Sequence, residues 1–362
     1  MKRLDINLHK HLHAGTVIPA HPLALHEDRT IDVEGQRLLT NYYIQSGAGG
    51  IAVAVHSTQF EIRDPEINLF EIVLKLASEE IEKASLTRPF LKIAGICGPT
   101  QQALEEVRIA IKHKYDIGLL SMGGLQGWSE NEILDRTRAV AAEIPVFGFY
   151  LQPSVGGQVF SYEFWQKFVE IPNVVAIKCA SFNRYQTLDV MRAIANSTRK
   201  NDIAMYTGND DNIVVDLMTT YQFPVNNEIV EIDFKGGLLG HWAVWTKKAV
   251  ELLAEIKVYK NNKDLACEKA LLSKAIEITD SNAAFFDPTH QFHGCIPGIH
   301  EVLKRQGLMK GIWCLNINEK LSIGQKEEID RVYRDYQHLH DDEFVKDFLS
   351  SYNKSFKETL NM

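Results

Sequence analysis

The run NVVAIKCAS (173–181) sets a single lysine, Lys178, among apolar residues of strand type. Lysine is seldom fully buried unless it is paired or its amine is used. Alternation along a strand puts Val174, Ala176, Lys178 and Ala180 on one face, where the small residues leave room for a ligand. Taking an ammonium out of water lowers its pKa and frees a fraction of neutral amine. Such an amine adds to a carbonyl, and the protonated imine that follows is an electron sink for making or breaking the adjacent C–C bond. Tyr150, in the earlier run PVFGFY, carries a phenol suited to moving protons beside an imine. Both residues also have plain structural explanations. Lys178 could pair with an acid such as Asp210 or reach solvent, and Tyr150 could be a packed ring with its hydroxyl satisfied.

This chemistry needs a frame that buries the lysine and opens beside it. Short apolar, β-branched runs recur: GTVIPA (15–20), GIAVAV (50–55), FLKIAGIC (90–97), DIGLLSM (116–122), PVFGFY (145–150), NVVAIKCA (173–180), DIAMYTG (202–208) and NEIVEIDF (227–234). Helix-like stretches separate them, the first with Asp32 placed as a cap and Gly47 as a stop, the last being VVDLMTTYQ (214–222). Runs apolar on both faces suit parallel strands covered by helices. A doubly wound open sheet shows the same alternation. Eight units in about 240 residues, with no G-x-G-x-x-G after the first strand, favour an α/β fold closed into a (β/α)8 barrel. Residues 1–243 are expected to form this TIM barrel, and 244–362, which turn helical throughout, a C-terminal helical extension.

In such a barrel the chemistry sits at the C-terminal ends of the strands. There the sequence offers His21, then His56, Ser57 and Thr58, then Gln152 beside Tyr150, then Asn209 and Asp210, and finally His241 in FKGGLLGHW (234–242). Ser57 and Thr58 supply hydroxyls for a substrate carboxylate, and His56 a further donor or titrating group. His21 and His56 close neighbouring strands and are expected to line the pocket, although each also fits a capped loop. Arg63 is placed to meet a carboxylate in a bidentate contact, or else to form a surface ion pair with Glu61 or Asp64. KGGLLG reads as a turn able to take a phosphate. DPTHQFHG (287–294) reads as a surface loop, with closure over the barrel mouth as the alternative.

A net charge of −8 leaves no basic footprint for nucleic acid. No apolar run reaches the length of a membrane span, and the start MKRLDINLHKHLHAG has no apolar secretory core. Five scattered cysteines without C-x-x-C spacing read as reduced thiols, so a cytoplasmic protein is expected. LHKHLHAG (8–15) raises a rival, because metal-dependent amidohydrolase barrels carry H-x-H at the end of strand 1, and a carbamylated Lys178 would bridge their metals. Here His9, His11 and His13 precede strand 1 and belong at the barrel's bottom. No metal or cofactor is therefore expected. A non-catalytic 2-oxo-acid sensor on the same barrel is the other alternative.

In order along residues 14–310, the chain resembles the dihydrodipicolinate synthase / N-acetylneuraminate lyase family, Schiff-base aldolases on a (β/α)8 barrel. FGFYLQPSVGG is similar to its Y-N-x-P segment, NVVAIKCAS to its G-I-K-x-[AS] strand, and YTGNDDNIV to its S-G-D-D turn. FKGGLLGHWA resembles its G-G-x-G-V-I-S turn, and GCIPGIHEVLKRQGL its late N-P-x-P-x-K-x-x-L-x-x-x-G-L helix. The resemblance implies Lys178 as the imine-forming lysine, Tyr150 as the proton carrier, no cofactor, and a homodimer or homotetramer.

Three departures bear on the substrate. The family's G-T-T-G-E loop reads VHSTQFEIR, which leaves carboxylate binding to His56, Ser57 and Thr58. The second tyrosine of its P-Y-Y is missing from SMGGLQGW, and Val155 stands where true dihydrodipicolinate synthases have an arginine. The expectation is a lyase, aldolase or dehydratase acting on pyruvate or another small 2-oxo acid, other than a true dihydrodipicolinate synthase. Asn209, Asp210 and His241 are expected to line its pocket.

Overall fold

The computed structural model describes residues 2–360. Eight parallel strands close a barrel: β1 (Val17–Pro19), β2 (Gly50–Val53), β3 (Leu91–Ile96), β4 (Ile117–Ser121), β5 (Val146–Leu151), β6 (Val174–Ala180), β7 (Ala204–Thr207) and the far half of β9 (Glu228–Leu239). The order runs β1-β9-β7-β6-β5-β4-β3-β2, and a bridge between Ala20 and Ala52 joins the two ends. Strands β2 to β7 are buried along their whole length, as covered parallel strands must be. The intervening helices are α2 (Val33–Gln45), α3 (Phe70–Lys83), α4 (Thr100–Lys112), α5 (Glu130–Glu143), α6 (Tyr162–Val169), α7 (Arg184–Ala195) and α8 (Ile213–Met218). Several start on side chains that accept orphan N–H groups: Asp32 from Gly35, Ser129 in a capping box with Glu132, and Ser161 from Phe164.

Two apolar layers result. One fills the barrel, with Ile18, Ile93, Leu119, Phe147, Phe149 and Tyr206 among its members; the larger lies between strands and helices. The bottom is plugged by α1 (Ile6–Ala14), which sends Leu12 into the interior layer while Tyr206 Oη donates to its carbonyl at 2.8 Å. The histidine triplet therefore lies on a helix below the barrel. His9 and His13 stack at 4.3 Å and His11 bonds the Gly49 carbonyl, so the three do not converge.

The eighth strand differs from the expectation. Residues 220–222 of the expected helix VVDLMTTYQ begin β8 (Thr220–Val225), which forms an antiparallel hairpin with the first half of β9. The barrel strand is the GGLL segment, paired with β7 at Phe234, Gly236 and Gly237 and with β1 from Gly237 to Leu239. The reason is close approach. A Cβ on Gly236 would lie 2.3 Å from the Thr16 carbonyl oxygen, and one on Gly237 2.6 Å from the Trp242 ring. KGGLLG is thus strand rather than phosphate-binding turn.

Along β6 the strict alternation also fails. Val146 pairs with Val174 but Phe147 with Ala176, so Val175 is an extra residue. Val174 joins the outer layer and Val175 the inner one, while Ala176, Lys178 and Ala180 keep the inward face.

Beyond the barrel strands come α9 (Thr246–Asn262), which packs on β1, then α10 (Leu265–Phe286), α11 (Cys295–Arg305), α12 (Gln325–Asp335) and α13 (Asp342–Leu360). The helical run expected from 326 onward is broken at 336–341. Among the described residues no helix is long and apolar enough to cross a membrane. Gly236→Ala should lower unfolding free energy by about 1–3 kcal/mol in denaturant titration, because the new methyl meets backbone that cannot rotate away.

Candidate active site

Lys178 stands on β6 in register with Phe149 of β5 and Tyr206 of β7. Its side chain rises inside the barrel, with Nζ 4.2 Å from the Phe149 ring centroid. Gly208 makes room for it, since a Cβ there would fall 2.5 Å from Lys178 Cε. A cavity of about 70 Å³ opens beside the amine. At roughly 10–15 Å³ of such volume per water, this holds on the order of five waters, the size of a three-carbon acid.

Asp210 lines the same cavity. Among the described residues no carboxylate comes within 4.0 Å of Lys178 Nζ, so the two charges interact across a gap. Burial pushes the amine down to about 8, with the Asp210 charge opposing the shift. Burial pushes the Asp210 carboxyl up to about 7, against the His241 N–H and the Lys178 charge. Each group is thereby poised to exchange a proton near neutral pH.

The Asp210 loop is held from behind by Asp216 of α8. Its buried carboxylate accepts from Thr207 Oγ1 at 2.7 Å, Asn209 Nδ2 at 2.9 Å, Asn212 Nδ2 at 3.0 Å and Arg184 Nη1 at 2.5 Å. The His241 N–H fixes Asp210 Oδ1 at 3.0 Å, and Asn282 Nδ2 donates to the Asp210 carbonyl.

Across the cavity lie His56, Ser57 and Gln152. Burial and the nearby Lys178 charge push the His56 imidazole down to about 4, so it is neutral. Ser57 Oγ donates to the Ala20 carbonyl at 2.9 Å. Residues His56–Thr58 form one tight turn, and among the described residues no acceptor meets the N–H of His56 or of Ser57. Nor does the Gln152 amide side chain have a protein partner among them.

The mouth is covered from the extension by Phe286, Phe292, Cys295 and Ile299. DPTHQFHG is therefore a cover, not a plain surface loop. Its Asp287, Gln291 and Phe292 take φ of 55°, 56° and 65°, and Phe292 meets Phe182 with ring centroids 5.8 Å apart. The Asp287 carboxylate holds this shape by accepting from Gly294 N–H and Ser322 Oγ.

Lys178, Asp210, His56, Ser57 and Gln152 are brought together; six other expected site residues are not. Tyr150 points outward into the helix layer, its ring 4.9 Å from Trp165, and its hydroxyl accepts from Phe160 N–H at 3.5 Å. Gly148 shares that outward face, since its Cβ would lie 2.7 Å from the Phe168 ring. The inward residue opposite Lys178 is Phe149. His21 also points outward, bonded to the Pro22 carbonyl and Thr40 Oγ1 and pushed down to about 4 by burial. Thr58 spends its hydroxyl on the His21 carbonyl. Asn209 bonds Phe182 N–H and Asp216. The His241 ring stacks on Phe285 in a separate pocket, leaving only its N–H for Asp210. Arg63 forms a buried ion pair with Glu106 at 2.9 Å, neither free for a ligand nor at the surface.

Reasoning from sequence missed Phe149, Phe292 and Cys295. Periodicity carries no signal for the first, because β5 is apolar on both faces, and the other two come from a distant segment. Among the described residues no three His, Cys, Asp or Glu side chains are grouped to hold a metal ion.

No protein-family model matches the chain. No curated protein matches it either. Solved structures do. An N-acetylneuraminate lyase from Mycoplasma synoviae is similar with a TM-score of 0.67 and 17% identity, over 90% of this chain and 98% of that one. A dihydrodipicolinate synthase from Oceanobacillus iheyensis gives 0.70 and 16%, over 91% and 99%. The chloride-inhibited dihydrodipicolinate synthase from Acinetobacter baumannii, complexed with pyruvate, gives 0.70 and 18%, over 89% and 98%. The chain shares their barrel fold.

The lowered amine has a direct readout. Acylation of Lys178, followed by peptide mass spectrometry against pH, should rise with a midpoint near 8. At neutral pH the neutral fraction should then be far above that of an ordinary lysine, which is less than about a thousandth. A midpoint above 10 would mean that the amine is solvated.

Proposed function

We propose that this chain is a Schiff-base-forming lyase of the dihydrodipicolinate synthase / N-acetylneuraminate lyase family, acting on pyruvate or another small 2-oxo acid. The observation that carries this reading is the desolvated Lys178 amine on β6, facing a covered cavity of three-carbon size beside an acid that titrates near neutrality. The shared barrel supports it, and so do the matching segments around Lys178 and the glycine-rich last strand.

The chemistry follows from the groups present. Neutral Lys178 adds to the C2 carbonyl; the new C–N bond forms as the π pair moves to oxygen, and loss of water leaves the iminium. Asp210, protonated when Lys178 is neutral, gives its proton to that oxygen, then takes one from the added nitrogen and passes it to the same oxygen, which leaves as water. The ionised Asp210 that remains takes a proton from C3, which turns the iminium into an enamine. The C–C bond is made or broken at that carbon, with Asp210 returning the proton in the reverse direction. The unpaired N–H groups of His56 and Ser57, with the Gln152 amide, are the donors available to the substrate carboxylate. Neutral His56 adds no charge that would compete with this acid–base pair. Phe286 and Phe292 exclude water, which strengthens each of these interactions. Tyr150 has no part in the cycle because its phenol lies on the far side of the strand. Residues beyond 244 serve as the cover, and a homodimer or homotetramer is proposed from the likeness alone.

Borohydride reduction with pyruvate, read by intact mass and peptide mapping, should give one adduct on Lys178, absent in Lys178→Ala. No adduct with pyruvate or other short 2-oxo acids would overturn the reading. Asp210→Asn should still trap the adduct but slow exchange of the C3 protons with deuterated water by about 10²–10⁴-fold. Tyr150→Phe should leave both within about twofold, since it loses only one long hydrogen bond.

A further inference from the structure

A second cavity lies between α9, α10 and residues 338–339, apart from the one beside Lys178. Its volume is about 260 Å³. Trp242, Trp245, Leu252, Ile278 and Leu339, all buried, form its apolar wall, and His241 completes it. His241 is only 6% exposed, and its Nδ1 lies 3.2 Å from Asn282 Oδ1. Its Nε2 has no protein partner among the described residues, yet protein atoms do not seal it off. His241 lines this cavity and not the Lys178 one, so the free nitrogen faces into it.

The hydrogen bonds fix what that nitrogen can do. Asn282 Nδ2 donates to the Asp210 carbonyl, so its Oδ1, an acceptor only, is the atom left for the ring. Nδ1 must therefore carry the imidazole proton, which leaves Nε2 as a bare acceptor. Burial pushes the imidazole down to about 4, so at neutral pH it keeps this form. A buried acceptor without a donor is unfavourable, and a ligand that supplies one recovers the loss. Water can donate too, but it cannot cover the aromatic wall. The charges at the rim are already spent. Lys248 pairs with Glu251 at 3.2 Å, Lys274 with Glu255 at 2.5 Å, and His338 with Glu277 at 2.7 Å. A charged ligand would have to break one of these pairs, whereas an uncharged one leaves them intact.

We infer that this cavity binds a small, uncharged, flat aromatic compound whose O–H or N–H donates to His241 Nε2. The walls offer such a ring stacking and apolar contact, and the single acceptor fixes its orientation. By the measure used for the Lys178 cavity, the space holds roughly twenty waters, ample for a two-ring compound. The two cavities share one residue. The His241 N–H holds Asp210 Oδ1 at 3.0 Å, and Asn282, bonded to the His241 ring, holds the Asp210 carbonyl. A ligand here touches the residue that positions Asp210 without entering the reaction cavity. The inference stands whether or not Lys178 forms an imine.

The test uses indole as the probe, since it is uncharged, two-ringed and carries a single N–H; 1-methylindole, which lacks that donor, is the control. Calorimetric titration of the full chain should show indole binding, with 1-methylindole at least about tenfold weaker because the buried acceptor is then left unpaired. Crystals soaked in indole should place its nitrogen about 3 Å from His241 Nε2. Ala249→Phe puts a ring into the cavity, so it should abolish indole binding and leave the pH midpoint of Lys178 acylation unchanged. His241→Phe should bring the two probes to within about twofold of each other, since the acceptor is gone. No binding at millimolar indole, equal affinity for the two probes, or indole seated only in the Lys178 cavity would overturn the proposal. So would crystals in which a side chain from a second copy of the chain fills the cavity. Should either variant fail to fold, the two probes on the unaltered protein still decide.

Discussion

The removal of one ammonium group from water governs how the top of this barrel is built. Lys178 is flanked by Phe149 and by small residues, and among the described residues the charge that opposes the effect of its burial is that of Asp210 across the cavity. A direct ion pair would hold the amine protonated; the gap leaves it only partly stabilised and hence partly neutral. Keeping that gap requires Asp210 to be held from elsewhere. The backbone N–H of His241, the amide of Asn282 and the hydrogen-bonded ring around Asp216 do this, and Gly208 gives up its side chain to the lysine's path.

Much of the polar equipment at the strand ends supports the cavity without entering it. Thr58, His21 and Asn209 each bond backbone or side chains of the adjoining strand-end loops, and Arg63 ties the ends of β2 and β3 to α4 through Glu106. Loops that leave a barrel expose carbonyl and N–H groups that must be satisfied as they turn, and these side chains satisfy them. What remains for a ligand is a short list of unpaired donors and two groups, Lys178 and Asp210, that burial shifts toward neutrality from opposite sides.

The cover is part of the same economy of water. Phe292 reaches the mouth only because Asp287, Gln291 and Phe292 adopt left-handed backbone, which costs roughly 1–2 kcal/mol per residue. The bonds from Gly294 and Ser322 to Asp287, and the burial of Phe286 and Phe292, offset that strain. A helical extension of this length is thus coupled to the electrostatics of a lysine far earlier in the chain.

Period and composition were enough to read the barrel, the helix capped by Asp32, the helical extension and the buried lysine, because runs apolar on both faces and N-capping residues act locally. They also placed Asp210, His56, Ser57 and Gln152 at the right end of the right strands. Which face a side chain takes was not legible. In β5 both faces are apolar, so nothing local separates Phe149 from Tyr150, and the extra residue Val175 in β6 shifts the register between the two strands. The hairpin of β8 and β9 and the strand role of Gly236 and Gly237 were equally hidden, since the close approach of Thr16 and Trp242 comes from residues distant in sequence. Residue type fixed what chemistry was available. Tertiary packing decided which groups are desolvated, which are already spent on hydrogen bonds, and which are left to act.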